Sequence, residues 1–428
     1  MTISSYSRRD WLRTITSGVL GTVGCHSILP ALARAAQAHG TRRHKACILL
    51  FMSGGASQHH TFTLPEREGQ FAPIRTDVPG IQISEHLPRL ATQMREWTLI
   101  RSMSTGQPDH AVGRELMHTG ETPSTVQRPA LGNFASDQLG AADFELPNFI
   151  TINGIGTSGP VFVSRPAYLH PRHAPVEIPN PDSAMDNLVS GMTEGQLSDA
   201  VALLQASQRR FLAERRVPSA GLQQSSYDQA LRMMRSDRVR AFDVTREPRQ
   251  VRDRYGDTDF GKGCLLARRL VEVGVPFVEV VYNGWDDHGD GVAARNIRMR
   301  SPVMDCAMSA LVEDLKARGL LDSTLVVWMS EFGRTPHFGP GRDSSLGGGH
   351  WARAWTTALA GGGIRAGQVI GRVDPRGAEP ADRPVSAQDF LATLCRILGI
   401  DYTREYETRE GRPMSFLRRN ARPIAEVV

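Results

Sequence analysis

Cysteine is scarce in this 428-residue chain: there are five, and no pair stands at C-x-x-C spacing. That excludes a thiolate metal site of that kind. Cys47, Cys264, Cys306 and Cys395, far apart and inside predicted strands or helices, are expected as buried free thiols. The sequence also lacks G-x-S-x-G, which excludes the nucleophile elbow of an α/β-hydrolase, and H-E-x-x-H, which excludes a zinc protease of that type. There is no internal repeat and no low-complexity segment. Two apparent nucleotide motifs fail on context. Gly154-Ile155-Gly156-Thr157-Ser158-Gly159 leads into the extended Pro160-Val161-Phe162-Val163 where a dinucleotide site needs a helix. In Gly256 to Gly263, Gly263 takes the place of the metal-binding Ser or Thr of a phosphate loop, and no strand precedes it.

A long hydrophobic run is missing too. The stretch from Ile15 to Leu29 is weakly apolar and too short for a membrane span. It follows Ser7-Arg8-Arg9-Asp10-Trp11-Leu12-Arg13 and precedes the small-residue patches Ala33-Arg34-Ala35 and Ala36-Gln37-Ala38. Residues 1–38 therefore look like a twin-arginine export signal, giving a periplasmic or secreted product with no stable membrane span in the mature chain. They carry Arg8, Arg9, Arg13 and Arg34 against Asp10, so the formal net charge of +5 falls to +2 for the remainder. The basic balance is thus partly a property of the leader. Arg209-Arg210 and Arg215-Arg216 lie in a helical pattern near acidic residues, which reads as a solvated face and not as a nucleic-acid surface.

Residues 39–428 read as one domain. Strands are predicted at Lys45 to Met52, Trp97 to Ser102, Phe149 to Asn153, Pro276 to Tyr282, Thr324 to Ser330 and Trp355 to Ala360. Helices are predicted near Leu87 to Arg95, Ala111 to Met117, Gly263 to Glu272, Val303 to Arg318 and Ala387 to Leu398. A helical insertion is expected at about 183–250, with Leu197, Val201, Leu204 and Phe211 at helical spacing. Alternation of strands and helices predicts an α/β fold: a doubly wound, mostly parallel sheet covered on both faces.

Four strand ends carry polar clusters. The first runs into Ser53-Gly54-Gly55-Ala56-Ser57-Gln58-His59-His60, the second into Ser102 to Thr105 and then Asp109-His110. A third leads to Asn283-Gly284-Trp285-Asp286-Asp287-His288, and a fourth to Ser330-Glu331-Phe332-Gly333-Arg334, with His350-Trp351 downstream. Open α/β sheets bind ligands outside the carboxyl ends of their strands. If the strands are parallel neighbours, the clusters meet. Asp286 and His288, two residues apart in a tight turn, can face one ion or form a solvated turn, and His350 can be a third ligand or a loop residue. Arg334 can clamp an anion or form an ion pair with Glu331. Gly54-Gly55 suits close approach to an oxyanion, or simply a turn.

Gly54 to Gln58, Arg101-Ser102-Met103, Leu266 to Glu272, Gly284 to Gly289, Glu331 to Pro336 and Asp382 to Val385 together resemble the secreted bacterial family of unknown function DUF1501. That family is similar to the alkaline phosphatase and sulfatase superfamily. The resemblance implies an alkaline-phosphatase-like sheet and a metal-assisted site for phosphate or sulfate esters. It makes Asp286 and His288 a ligand pair, His350 a late ligand, and Glu331 a ligand or the support of one. It also exposes departures. Phe332 replaces a histidine, the first strand ends on Ser53-Gly54 without an aspartate, and counting back from Thr119-Gly120 and Arg114 puts His110 where a nucleophile would stand. The set is incomplete for two metals.

The sequence therefore predicts an exported hydrolase of a small anionic phosphate or sulfate ester. Asp286, His288, Glu331 and His350 would serve a divalent ion, whether zinc, calcium or manganese. His110 would be nucleophile or proton donor, and Arg334 would stabilise the anion. The alternative is a noncatalytic descendant whose cleft binds an envelope glycan, lipid or protein.

Overall fold

All seven residues of strand β1 (Ala46–Met52) are buried, and they are apolar on both faces, as the middle of a two-sided sheet requires. In the computed structural model, which describes residues 45–64, 71–154, 165–184, 236–288, 292–336, 348–408 and 410–428 and scattered positions from 195 to 235, β1 pairs in parallel with two strands. These are β5 (Phe277–Tyr282) and β6 (Thr324–Met329). The others are β2 (Trp97–Met103), β3 (Phe149–Ile152), β4 (Val176–Ile178), β9 (Trp355–Gly361) and β10 (Gln368–Ile370). Their order across the sheet is β10-β2-β9-β6-β1-β5-β3-β4. Seven strands share one direction. The predicted strand at Trp355 is present but runs against both neighbours, β2 and β6.

Alternate residues of β1 serve different cores. Ile48, Leu50 and Met52 meet α3 (Asp259–Glu272) and α4 (Val292–Ala317) on one side. Cys47, Leu49 and Phe51 meet α1 (His110–Thr119), α2 (Leu131–Leu139) and α5 (Ala387–Leu398) on the other. Helices on both faces make the sheet doubly wound. Arg268 of α3, inside the Leu266 to Glu272 stretch, is fully buried and reaches Glu247, Glu272 and Asp314, which ties the helix to its neighbours.

Several boundaries differ from the sequence-based expectation. A helix is expected from Val303, yet α4 begins at Val292 and runs through Pro302. The segment around Leu87 to Arg95 breaks into a short helix, Pro88–Ala91, and a 3-10 turn, Met94–Glu96. Cys47, Cys264 and Cys395 are buried free thiols, whereas Cys306 is only half-buried. Positions described between 195 and 235 are helical, and Asp237–Phe242 and Val244–Arg246 form 3-10 turns. The export signal, Leu197, Val201, Leu204, Phe211 and Gly156 to Val163 lie outside the described residues. No helix among the described residues is long and apolar enough to cross a membrane.

Candidate metal centre

Because β1, β2, β5 and β6 share one direction, their carboxyl ends lie on one edge of the sheet, and all four polar clusters meet there. The fifth contribution comes from a small hairpin, β7 (Gly333–Arg334) paired with β8 (His350–Trp351), which sets His350 opposite Arg334. His110, Asp286, His288 and His350 each present a donor atom, and the four atoms lie within 4.8 Å of one another. Asp286 Oδ1 is the hub. It stands 2.7 Å from His288 Nε2, 3.1 Å from His110 Nε2 and 3.4 Å from His350 Nε2, while the last is 3.2 Å from His288 Nε2.

Three of these separations are close to those between the ligands of one cation, while the 2.7 Å contact of Asp286 with His288 is a hydrogen-bond distance. Four ligands at 2.0–2.1 Å around a tetrahedral ion lie roughly 3.3–3.4 Å apart. The proton positions point the same way. His350 Nδ1 is 2.7 Å from the carbonyl oxygen of Pro108, which can only accept, so Nδ1 carries the proton. Burial, together with the charges of His110 and Arg334, lowers the His350 pKa and keeps the ring neutral. Its Nε2 lone pair then faces the carboxylate of Asp286 and a second imidazole. Asp286 Oδ1 also accepts from Arg334 at 2.8 Å, so the cluster offers a divalent ion convergent donors on an oxygen that already has one cationic partner. Partial burial by itself would raise the Asp286 pKa, but the Arg334 hydrogen bond and the charges of His110, Arg334 and His288 outweigh it and hold the carboxyl well below the usual range.

Glu331 stands apart from the four donors. Its side chain is fully buried, with Oε1 accepting from His110 Nδ1 at 2.8 Å and from the Gly54 amide at 2.9 Å, and Oε2 3.0 Å from Ser330 Oγ. Burial would raise its pKa, yet the His110 bond and the Arg114 guanidinium lower it and keep the group ionised. For His110 burial is again the largest influence and lowers the pKa, but Glu331 and Asp286 reverse it and raise the value overall.

Arg334 does not pair with Glu331. The buried guanidinium bonds Asp286 Oδ1 at 2.8 Å instead, and it donates to the carbonyl oxygens of Gly54, Gly55, Trp285, Asp287 and Gly348. It joins the β1 turn, the β5 loop and the β7–β8 hairpin. Asp287 turns to Arg300, with the guanidinium 3.4 Å from its carboxylate. The paired glycines make a turn, and the Gly54 amide is taken by Glu331, so it offers nothing to an oxyanion.

A family described as protein of unknown function (DUF1501) matches residues 44–428. The chain belongs to that family. No curated protein matches the sequence. Solved structures similar to this DUF1501 chain include the PsFucS1 sulfatase of Pseudoalteromonas sp., 15% identical over 88% of this chain and 72% of that one, with a TM-score of 0.42. A protein in the alkaline phosphatase superfamily from Vibrio parahaemolyticus is 13% identical, with coverages of 84% and 67% and a TM-score of 0.40. The zinc complex of the C-terminal periplasmic domain of EcEptC from Escherichia coli is 11% identical, with coverages of 90% and 92% and a TM-score of 0.39.

Several residues that build this DUF1501 site gave no functional signal of their own. Gln58 receives the Arg334 amide on Oε1 and donates through Nε2 to the carbonyls of Arg334 and Ala354, fixing the hairpin. Ser330 Oγ donates to Met52 O and locks the ends of β1 and β6 together. The carbonyl of Pro108 is invisible to any search by side-chain type. Only the Gly54 to Gln58 stretch, within the family resemblance, could have pointed to Gln58.

Proposed function

We propose that this protein is an exported, metal-assisted hydrolase of small phosphate or sulfate esters, with Asp286, His288 and His350 holding one divalent ion. The observation that carries this reading is the proton placement on His350, whose Nδ1 bond to Pro108 O leaves Nε2 facing Asp286 Oδ1 and His288 Nε2. A donor set rich in imidazole favours zinc over calcium, which prefers carboxylate and carbonyl oxygens. Export rests on the Arg8-Arg9 leader pattern.

The chain's own residues prepare the site. Asp286 supplies the anionic donor, and Arg334 fixes its carboxylate against the hairpin. His288 is more than half exposed, so an ester approaches from its side. Phe332 packs its ring against His110 and His350, 4.9 and 4.6 Å between centroids, and shuts water out behind them. When bound, the ion supplies Lewis acidity toward an ester oxygen and toward water. Because the Arg334 donors are engaged within the protein, the guanidinium serves the anion only indirectly, through Asp286.

One feature favours the noncatalytic alternative: the Ser53 hydroxyl is taken by Arg114 at 3.0 Å, so the end of β1 gives the cluster no ligand. Metal analysis of the natively exported protein, with 4-nitrophenyl phosphate and sulfate as substrates, decides between the two. The hydrolase reading expects about one equivalent of zinc per chain and turnover that chelation abolishes. Metal-free, inert protein would sink it and leave the glycan-, lipid- or protein-binding reading.

A further inference from the structure

We propose that Glu331 is a positioning residue and His110 the ion's fourth ligand: the buried carboxylate holds the His110 proton on Nδ1 and so aims Nε2 at the centre formed by Asp286, His288 and His350. This rests on the metal-site reading above and decides two roles that the sequence left open, Glu331 as a ligand or the support of one and His110 as a nucleophile or proton donor.

Glu331 is not among the four converging donors. Oε1 takes His110 Nδ1–H and the Gly54 amide, Oε2 lies 3.0 Å from Ser330 Oγ, and no part of the side chain is exposed. The carboxylate is also immobile. It sits at the end of β6, next to Ser330, whose hydroxyl is bonded to Met52 O at 2.6 Å, and the buried Arg114 guanidinium stands 4.0 Å away as countercharge. A fixed acceptor on Nδ1 dictates which nitrogen of the ring remains free, and a carboxylate there makes Nε2 a better donor.

His110 is held as firmly as a ligand must be. It opens α1 directly after Asp109, whose side chain caps the helix through the Val112 amide. Its ring packs against both Phe332 and His350, 4.9 and 4.3 Å away between centroids. Nε2 is buried and points to Asp286 Oδ1 at 3.1 Å. With Nδ1 committed to Glu331 and Nε2 to the ion, neither nitrogen can attack an ester. Hydrolysis at this centre therefore passes through no covalent histidine adduct, and water is the attacking group.

Cobalt(II) is a suitable probe, because its visible spectrum reports the ligands. The full-length exported protein is stripped with chelator and titrated with Co2+. Wild type should bind one equivalent. Glu331→Gln should keep that stoichiometry and spectrum but bind roughly 10–100-fold more weakly, whereas His110→Ala should change the spectrum as His288→Ala does. A Glu331→Gln spectrum altered like that of His288→Ala would make Glu331 a ligand and overturn the assignment. So would a His110→Ala spectrum identical to wild type. Failure of wild type to take up Co2+ would instead remove the metal site itself. Should Glu331→Gln not fold, 15N resonances of wild-type His110 in the Zn2+-loaded protein decide the same point: a proton on Nδ1 and none on Nε2 is expected, and a proton on Nε2 refutes the proposal.

Discussion

The guanidinium of Arg334 meets an acceptor at every nitrogen: five backbone carbonyls and the carboxylate of Asp286. Lysine carries the same charge on a single point and cannot reproduce a planar fork. Arg334→Lys should therefore strand several buried carbonyls and part of the Asp286 charge. The expected cost is about 3–5 kcal/mol, the range for breaking one side of a buried pair. Urea unfolding of the purified variant reads this directly. A substrate clamp would behave differently, with KM raised and the unfolding midpoint unchanged, and that result would return Arg334 to the role the sequence suggested.

At the scale of elements, the site depends on how closely the turn after β1 approaches the loop after β5. Gly54 has φ +114°, and a Cβ placed there would lie 2.3 Å from the Asp286 amide nitrogen and 2.8 Å from the Trp285 carbonyl carbon. Both are backbone atoms that cannot rotate away. Gly54→Ala should push Asp286 out of line and weaken Zn2+ binding by about tenfold or more, the loss expected when the support of a ligand is disturbed. Gly80→Ala is the control: its φ is +85° with nothing near the added carbon, so it should cost only the backbone strain of about 1–2 kcal/mol and leave binding intact. Equal Zn2+ affinity in the two variants would remove the β1 turn from the site. The strand ends themselves were legible in the sequence, because an apolar run that stops on Ser53, Asn283 or Ser330 marks where a buried strand reaches the sheet edge. Direction was not legible. Trp355 to Ala360 reads as a strand whichever way it runs, and only pairing with β2 and β6 reveals it as antiparallel. Asp286, His288 and His350 could be nominated from residue type. The bond from His110 to Glu331 spans 221 positions, and the partners of Arg334 are mostly carbonyl oxygens, which every residue carries.

Across the whole molecule, two buried histidines far apart in the chain contribute to its response to acid. His59, in the turn after β1, and His173, packed on Ser136 of α2, both have their pKa lowered to about 4, chiefly because burial penalises the charged ring. Each value lies below the 6.5 of an unfolded histidine, so under about pH 6.5 the unfolded chain binds more protons than the folded one. Their stabilising effect is complete above that pH and is lost as pH falls toward 4, at up to about 1.4 kcal/mol per pH unit for each ring. In the ion-free protein His110 acts with opposite sign: its raised pKa gives stability that is present below pH 6.5 and lost as pH rises through the folded value. The midpoint of urea unfolding should therefore drop steeply between pH 6.5 and 4, and His59→Gln should flatten that slope even if it lowers the midpoint at pH 7.5. An unchanged slope in His59→Gln would show that His59 is protonated in the folded protein, and the acid response would have to be sought among the carboxylates.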